Sequence, residues 1–225
     1  MEKNKKVKIL VFDTETAGLP KHYKPAEEDL DNYPSVLQLG AQLIEVDLDN
    51  PLQYEVLYKV NSLVQPYRKG KEVQIHPKAE AVHGISFQKA NSLGDSIETV
   101  SILFQGLCNS TDFIVCHNYT FDRNVMVSEL LRLGITPKYA RGAKVFCTMK
   151  FGTNLLKLKG RQEGQYKFPT LAELFNHLTG QNLHDHYKAH DADGDVSATV
   201  HCLLELINQN ADLASWFKGE KESIY

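Results

Sequence analysis

The chain has 225 residues, of which 42% are hydrophobic and 24% charged, and its formal net charge is −3 at pH 7. These fractions are ordinary for a soluble globular protein of one large domain, and no apolar run approaches the length of a membrane span. The net charge excludes a chain that is basic as a whole. We therefore expect one domain over residues 1–225, with a core at about 6–210 and a short polar tail.

The four cysteines, at positions 108, 116, 147 and 202, are widely spaced and form no C-x-x-C pair. The polar start Met-Glu-Lys-Asn-Lys-Lys is followed by no signal-peptide core. These features predict free thiols and a cytoplasmic protein.

Charge is unevenly distributed along the chain. Residues 27–55 hold eight acids and no Lys or Arg, whereas residues 138–167 hold eight bases and one acid, Glu163. A local basic surface of this kind can hold a polyanion, although it can equally be a solvated face that aids solubility.

The first predicted element, residues 7–16, ends in two acids. Its short apolar run predicts a buried central strand. Side chains at i and i+2 of a strand point to one face, so Asp13 and Glu15 would project together from the carboxyl end, where open α/β sheets bind ligands. These carboxylates would repel each other unless a divalent cation such as Mg²⁺ or Mn²⁺ compensates. The alternative is an acidic turn after a core strand.

Alternation, apolar periodicity and capping signals predict the later elements in chain order. They are strands at 36–46 and 54–60, a helical turn at 78–82, a helix opened by the capping box Asp95–Glu98, a strand at 112–116, a helix at 121–132, a strand at 144–148, and helices at 170–180 and 192–208. The first three strands would form an antiparallel meander. The order predicts a mixed α/β sheet flanked by helices.

Two later stretches also place acids at the boundary between secondary-structure elements. The strand at 112–116 is followed by a His-Asn-Tyr-Thr-Phe-Asp sequence that places Asp122 in the first turn of a helix. His190 precedes the last long helix, and Asp195 lies near that helix's start. For any one of these acids, helix capping is the simpler explanation. Asp191 and Asp193 are interpreted as such caps.

The three motifs together resemble those of the DEDDh 3′→5′ exonucleases. This DnaQ-like superfamily has a ribonuclease-H-like fold, with a mixed β-sheet and helices on both faces, and includes DNA polymerase III epsilon-type subunits, RNase T, oligoribonuclease and TREX-type enzymes. The motifs lie at residues 13–16, 117–122 and 190–195, and the segment 83–86 resembles the family's His-Gly-Ile segment. One departure is Ala17, which stands where many relatives have a second threonine.

The resemblance implies residue roles and cofactors. Asp13, Glu15, Asp122 and Asp195 would bind two divalent metal ions, Mg²⁺ or Mn²⁺, and His190 would be the general base. The reaction would release nucleoside 5′-monophosphates from the 3′ end of single-stranded nucleic acid. The predicted substrate-binding residues are Thr14, Thr16, His83, Ile85, Asn118 and Phe121. For Ile85 and Phe121, core packing is the alternative.

Other functions stay open at this point. We expect DNA as substrate, in proofreading or repair beside a polymerase or repair partner, but an exoribonuclease of the RNase T or oligoribonuclease type is the alternative. A non-catalytic nucleic-acid-binding module is a remote one. His184, Asp185, His186 and His190 also suggest a zinc site, although no cysteine lies nearby.

Overall fold

The structure, a computed structural model, describes residues 6–137, 143–188 and 190–224. Its strands are β1 (Lys6–Thr16), β2 (Val36–Asp47), β3 (Tyr54–Leu63), β4 (Tyr67–Arg68), β5 (Lys71–Glu72), β6 (Phe113–Cys116) and β7 (Lys144–Cys147). Its α-helices are α1 (Pro77–His83), α2 (Phe87–Leu93), α3 (Ile97–Cys108), α4 (Tyr119–Arg132), α5 (Thr148–Leu156), α6 (Leu171–Thr179), α7 (Ala192–Gln209) and α8 (Ala211–Phe217).

Five strands form one mixed sheet in the order β3-β2-β1-β6-β7. The first three strands make the predicted antiparallel meander. β6 runs parallel to β1, and β7 runs parallel to β6. Because the carboxyl ends of parallel neighbours meet at one edge, the residues that follow β1 and β6 lie close together.

Helices cover both faces of this sheet. Ile9 and Val11 pack in a cluster with α6, α7 and α8, whereas Leu10 and Phe12 pack in a second cluster with α3 and α4. A strand that is covered on both sides has no polar face, so all four residues are buried. The mixed sheet with helices on both faces confirms the predicted architecture.

Several elements differ from the prediction. The helices α2 and α5 and the β4–β5 hairpin were not predicted. The region predicted as a polar tail contains α8, whose Leu213, Trp216 and Phe217 are buried. The predicted core limit of residue 210 is therefore too early. Among the described residues, no helix has both the length and the apolar character needed to cross a membrane.

One predicted capping box is wrong by a residue. The N-cap of α3 is Ser96, whose hydroxyl accepts a hydrogen bond from the Thr99 N–H at 3.1 Å. Asp95 instead accepts a hydrogen bond from the Ser62 hydroxyl at 2.6 Å, which ties the start of α3 to β3. The capping box predicted at residues 170–173 is present at the start of α6.

Candidate active site

Asp13 and Glu15 lie at the carboxyl end of β1, where the strand leaves the core. Their side chains lie on the same face of β1 as that of Val11, which packs in the cluster that contains α7. Both carboxylates are half-buried and face the start of that helix. The prediction that the two acids project together is therefore correct for the strand geometry.

Asp195 reaches the same place from the first turn of α7. One carboxylate oxygen from each of Asp13, Glu15 and Asp195 lies within 4.8 Å of the other two. Two elements that are far apart in the chain thus bring three acids together. The group contains only oxygen ligands, which suits a hard divalent cation such as Mg²⁺ or Mn²⁺.

The start of α7 is held against β2 by two residues that the sequence analysis missed. A Cβ atom added to Gly40 would lie 2.3 Å from the Ala192 carbonyl oxygen, so only glycine allows the helix to approach this closely. The Gln38 amide donates to an Asp191 carboxylate oxygen at 2.9 Å. In the sheet register, Gly40 is opposite Asp13. A glycine inside a strand pattern is a known sign of close backbone approach and could have marked this position.

Asp122 lies in the first turn of α4 but is not part of the group of three. Its Oδ1 atom accepts hydrogen bonds from the Thr14 N–H at 3.0 Å and from the Thr14 hydroxyl at 2.8 Å. The Thr14 side chain lies on the opposite face of β1 from that of Asp13, so Asp122 approaches from the other face of the sheet. The two acids are still close enough that the Asp122 charge raises the pKa of Asp13.

Burial and mutual repulsion raise the pKa of every acid at this site. For Asp13, burial is the largest cause, followed by the charges of the other acids, and its pKa lies well above the usual range. Burial and neighbouring acids raise the pKa of Glu15 to about 8. Burial raises the pKa of Asp122 to about 7, against the two Thr14 hydrogen bonds. Burial raises the pKa of Asp195 to about 6, and the nearby His190 opposes this shift. Such a cluster favours a bound cation.

His190 is exposed on the loop that leads into α7. Its backbone has φ of +55°, a left-handed conformation that residues other than glycine rarely adopt. Its charge and its backbone N–H both act on Asp195, which places the residue beside the acids. Strained backbone of this kind is concentrated at functional sites.

A cavity of about 570 Å³ lies on one side of Glu15. Among its lining residues are Glu15 and four of the predicted substrate-binding residues, namely Thr14, Thr16, His83 and Phe121. The His83 ring is fixed by the backbone, because Nε2 donates to the Thr16 carbonyl at 3.2 Å and Nδ1 accepts from the Ile85 N–H at 3.0 Å. Burial lowers the pKa of His83, which favours the neutral ring.

The other two predicted substrate residues have different surroundings. The Ile85 side chain is buried in a small core cluster with Ala17, Leu37 and Ala90, which favours the core-packing alternative. Asn118 is the half-buried N-cap of α4, and its side chain makes no capping hydrogen bond in the described structure. Its contact with substrate stays a prediction.

The histidines of the zinc hypothesis do not form a metal-sized group. Among the described residues, the group with metal-sized spacing contains three carboxylates and no histidine. His184 and His186 are exposed, and the His186 ring packs on Phe175. The geometry therefore favours the carboxylate site.

The chain is similar to a known protein family and to several solved structures. The model of the family described as Exonuclease (RNase_T) matches residues 10–203. No curated protein sequence matches the chain significantly. The structure of E. coli Exonuclease I in complex with a dT13 oligonucleotide matches with a TM-score of 0.69 and 19% identity, covering 96% of this chain and 44% of that chain. A moderately thermophilic Exonuclease I from Methylocaldum szegediense matches with a TM-score of 0.66 and 19% identity, covering 95% and 43%.

The zinc-bound form of the E. coli Exonuclease I complex with single-stranded DNA matches with a TM-score of 0.68 and 20% identity, over 95% of this chain and 43% of that chain. These similarities confirm the ribonuclease-H-like fold class. The chain spans less than half the length of the Exonuclease I chains that it matches.

Proposed function

Because this chain belongs to the exonuclease family, we propose that it is a metal-dependent 3′→5′ exonuclease that removes nucleoside 5′-monophosphates from single-stranded DNA. The observation that carries the proposal is the group of three carboxylates, Asp13, Glu15 and Asp195, within 4.8 Å of one another. Asp13 and Glu15 lie at the carboxyl end of the central strand, Asp195 reaches them from the first turn of α7, and Glu15 lines a cavity large enough for part of a nucleotide.

The donor set fits divalent cations. Asp13, Glu15, Asp122 and Asp195 would hold two Mg²⁺ or Mn²⁺ ions, whose total charge balances four ionised carboxylates. When bound, the ions would polarise the scissile phosphate and lower the pKa of an attacking water. The raised pKa values of these acids support the proposal, since a cation is what would let all four ionise together.

His190 is the proposed general base. The neutral form of an imidazole ring has a nitrogen lone pair that can take a proton from water. Its exposed position beside Asp195 leaves the ring free to meet a water at the edge of the site. General-base catalysis of this type typically contributes about 10²- to 10⁴-fold in rate.

The cavity is the proposed site for the 3′-terminal nucleoside. The rings of His83 and Phe121 would contact the base or sugar, and the backbone around Thr14 and Thr16 would approach the sugar. The Thr14 hydroxyl already donates to Asp122, so it would position that acid and could only accept from a substrate. Asn118 would contact the strand from the start of α4.

DNA is proposed as the substrate because two of the similar Exonuclease I structures hold dT13 and dA16 oligonucleotides. The exoribonuclease alternative is tested by the same experiment with RNA. We also propose a single domain over residues 1–225 and a cytoplasmic location, which the free and buried state of all four cysteines supports. A polymerase or repair protein is proposed as a further partner.

The test is a cleavage assay on 5′-labelled DNA and RNA strands of one sequence with Mg²⁺, Mn²⁺ or EDTA. We expect a ladder that shortens from the 3′ end, faster on DNA, and absent in EDTA. The variants Asp13→Ala and His190→Ala should lose cleavage while they keep their fold by circular dichroism. Cleavage in EDTA, or full activity of Asp13→Ala, would refute the proposal. Faster cleavage of RNA than of DNA would mean that RNA is the substrate.

A further inference from the structure

Residues 157–168, here called the basic hairpin, form an ordered turn between α5 and α6. The Gly160 N–H donates to the Gln165 carbonyl at 2.9 Å, and the Lys167 N–H donates to the Leu158 carbonyl at 3.0 Å. A Cβ atom at Gly160 would lie 2.6 Å from the Gln165 oxygen, so the close approach of the two arms depends on glycine. The backbone thus presents its side chains from a defined scaffold.

The basic hairpin combines positive charge with exposed aromatic rings. It contains Lys157, Lys159, Arg161 and Lys167 against one acid. Lys167 forms an ion pair with Glu173 at 2.5 Å, whereas the other three cations have no ion pair among the described residues. Two ring side chains are also open to solvent, since Tyr166 is 51% and Phe168 is 61% exposed. Free cations beside exposed rings are the combination that binds single-stranded nucleic acid.

A hydrogen bond connects the base of the basic hairpin to the segment between β6 and α4, the helix that carries Asp122. The His117 Nε2 atom donates to the carbonyl of Pro169, the residue after the hairpin, at 3.1 Å. His117 directly precedes Asn118, the N-cap of α4. The hairpin is therefore joined to the edge of the sheet at which the proposed catalytic acids lie.

We propose that the basic hairpin binds the single-stranded DNA on the 5′ side of the nucleotide being removed, an inference that rests on the proposed exonuclease function. Lys159 and Arg161 would pair with backbone phosphates, and the rings of Tyr166 and Phe168 would stack on unpaired bases. Stacking requires bases that are not already paired in a duplex, so the surface selects single strands. It would extend the footprint of the enzyme beyond the terminal nucleotide.

Binding can be tested without cleavage. Fluorescence anisotropy of a roughly 15-nucleotide labelled oligo-dT in EDTA would be measured over a salt series for wild type, Lys159→Glu/Arg161→Glu and Tyr166→Ala/Phe168→Ala. We expect the charge variant to bind at least about tenfold more weakly, with a salt slope lower by about two. The aromatic variant should also bind more weakly, but with the wild-type salt slope.

A matched control is Lys218→Glu/Lys221→Glu, which makes the same change in net charge. Lys218 and Lys221 follow α8 in the chain. Trp216 of α8 packs against Phe113 at the amino end of β6, opposite the proposed site. The control should bind like wild type, and thermal melting would verify that each variant is folded. If Lys159→Glu/Arg161→Glu melts early, Lys159→Gln/Arg161→Gln takes its place.

Failure of this proposal and failure of the proposed function give different results. A wild-type protein that binds but cleaves nothing would refute the function only, because anisotropy in EDTA does not depend on turnover. Hairpin variants that bind like wild type, or lose no more than the control, would overturn the hairpin proposal.

Discussion

The catalytic acids proposed here depend on neutral neighbours that hold them close despite their repulsion. Thr14 gives two hydrogen bonds to Asp122, and Gln38 binds the N-cap residue of α7, Asp191, and so positions the helix that carries Asp195. Neither Thr14 nor Gln38 carries charge, so each positions an acid without neutralising it. The electrostatic compensation is left to a cation.

Metal binding should therefore stabilise the protein through Asp195. In wild type, Mg²⁺ at about 100 times its Kd should add about 2.7 kcal/mol to the unfolding free energy, which corresponds to a Tm increase of several degrees. Asp195→Asn should melt higher than wild type in EDTA, because one buried charge is gone, and should gain much less from Mg²⁺. Differential scanning fluorimetry measures both effects.

The matched control is Asp193→Asn in the same helical turn. Asp193 lies outside the group of three acids and forms an ion pair with Lys59 at 2.8 Å. This variant should keep the full Mg²⁺ shift. Equal shifts in Asp195→Asn and wild type would contradict the assignment of Asp195 as a metal ligand.

His117 should make stability depend on pH. Burial lowers its pKa to about 4, although the hydrogen bond to the Pro169 carbonyl opposes this. Between about pH 6.5 and 4 the unfolded chain binds a proton at this histidine that the folded protein does not bind, so His117 lowers the unfolding free energy by up to about 3 kcal/mol as pH decreases. The site acids contribute in the opposite direction, because their pKa values are raised in the folded protein. His117→Gln removes the histidine's contribution, so the unfolding free energy of the variant should decrease less, or rise more, than that of wild type as pH is lowered from about 6.5 to about 4.

Urea unfolding at several pH values measures this effect. The same substitution at the exposed His177 is the control and should leave the wild-type slope in place. A His117→Gln protein with the wild-type pH slope would show that His117 does not contribute to the pH dependence.

At the scale of elements, the start of α7 depends on a glycine in β2. In Gly40→Ala the new methyl group would overlap the Ala192 carbonyl, so the helix must move away from the sheet and carry Asp195 with it. We expect a loss of about 1–3 kcal/mol in stability. A displacement of about 1 Å at a catalytic group typically costs about 10²-fold in rate.

Urea unfolding and the cleavage rate test this prediction together, with Gly106→Ala in α3 as the control. A Cβ atom at Gly106 meets nothing within 4 Å, and alanine favours a helix, so this variant should be slightly more stable and fully active. Full activity of Gly40→Ala would mean that the close approach of α7 does not position Asp195.

The elements that sequence could predict were those with strong local signals. The buried run of β1, the alternation of β2 and the capping box of α6 all appear as expected. In contrast, α5 follows β7 directly, and its N-cap Cys147 makes no side-chain capping bond, so no start signal was present. The last helix, α8, is separated from α7 by a single residue, Asn210. The Asn210 side chain caps the start of α8.

At the scale of the whole molecule, the sequence predicted acids that the fold brings together but not the residues that support them. The order of the three motifs, through its resemblance to the exonuclease family, predicted Asp13, Glu15, Asp122, His190 and Asp195 as site residues, and one oxygen from each of Asp13, Glu15 and Asp195 lies within 4.8 Å of the other two. The roles of Gly40 and Gln38 require the sheet order, since only the β1–β2 register places them opposite Asp13 and Glu15. The basic stretch 138–167 was visible in the sequence; residues 138–142 lie outside the described residues, and the fold shows which of its later residues form a hairpin.

The most direct test of the account is the identity of the first product from a 3′-end-labelled DNA strand. Wild type with Mg²⁺ should release the label as a nucleoside 5′-monophosphate, detected by thin-layer chromatography and mass spectrometry, and Asp195→Asn should release none. A labelled fragment of several nucleotides would mean internal cleavage, and an unchanged rate in Asp195→Asn would mean that the three-carboxylate group does not carry the reaction. Either result would contradict the account.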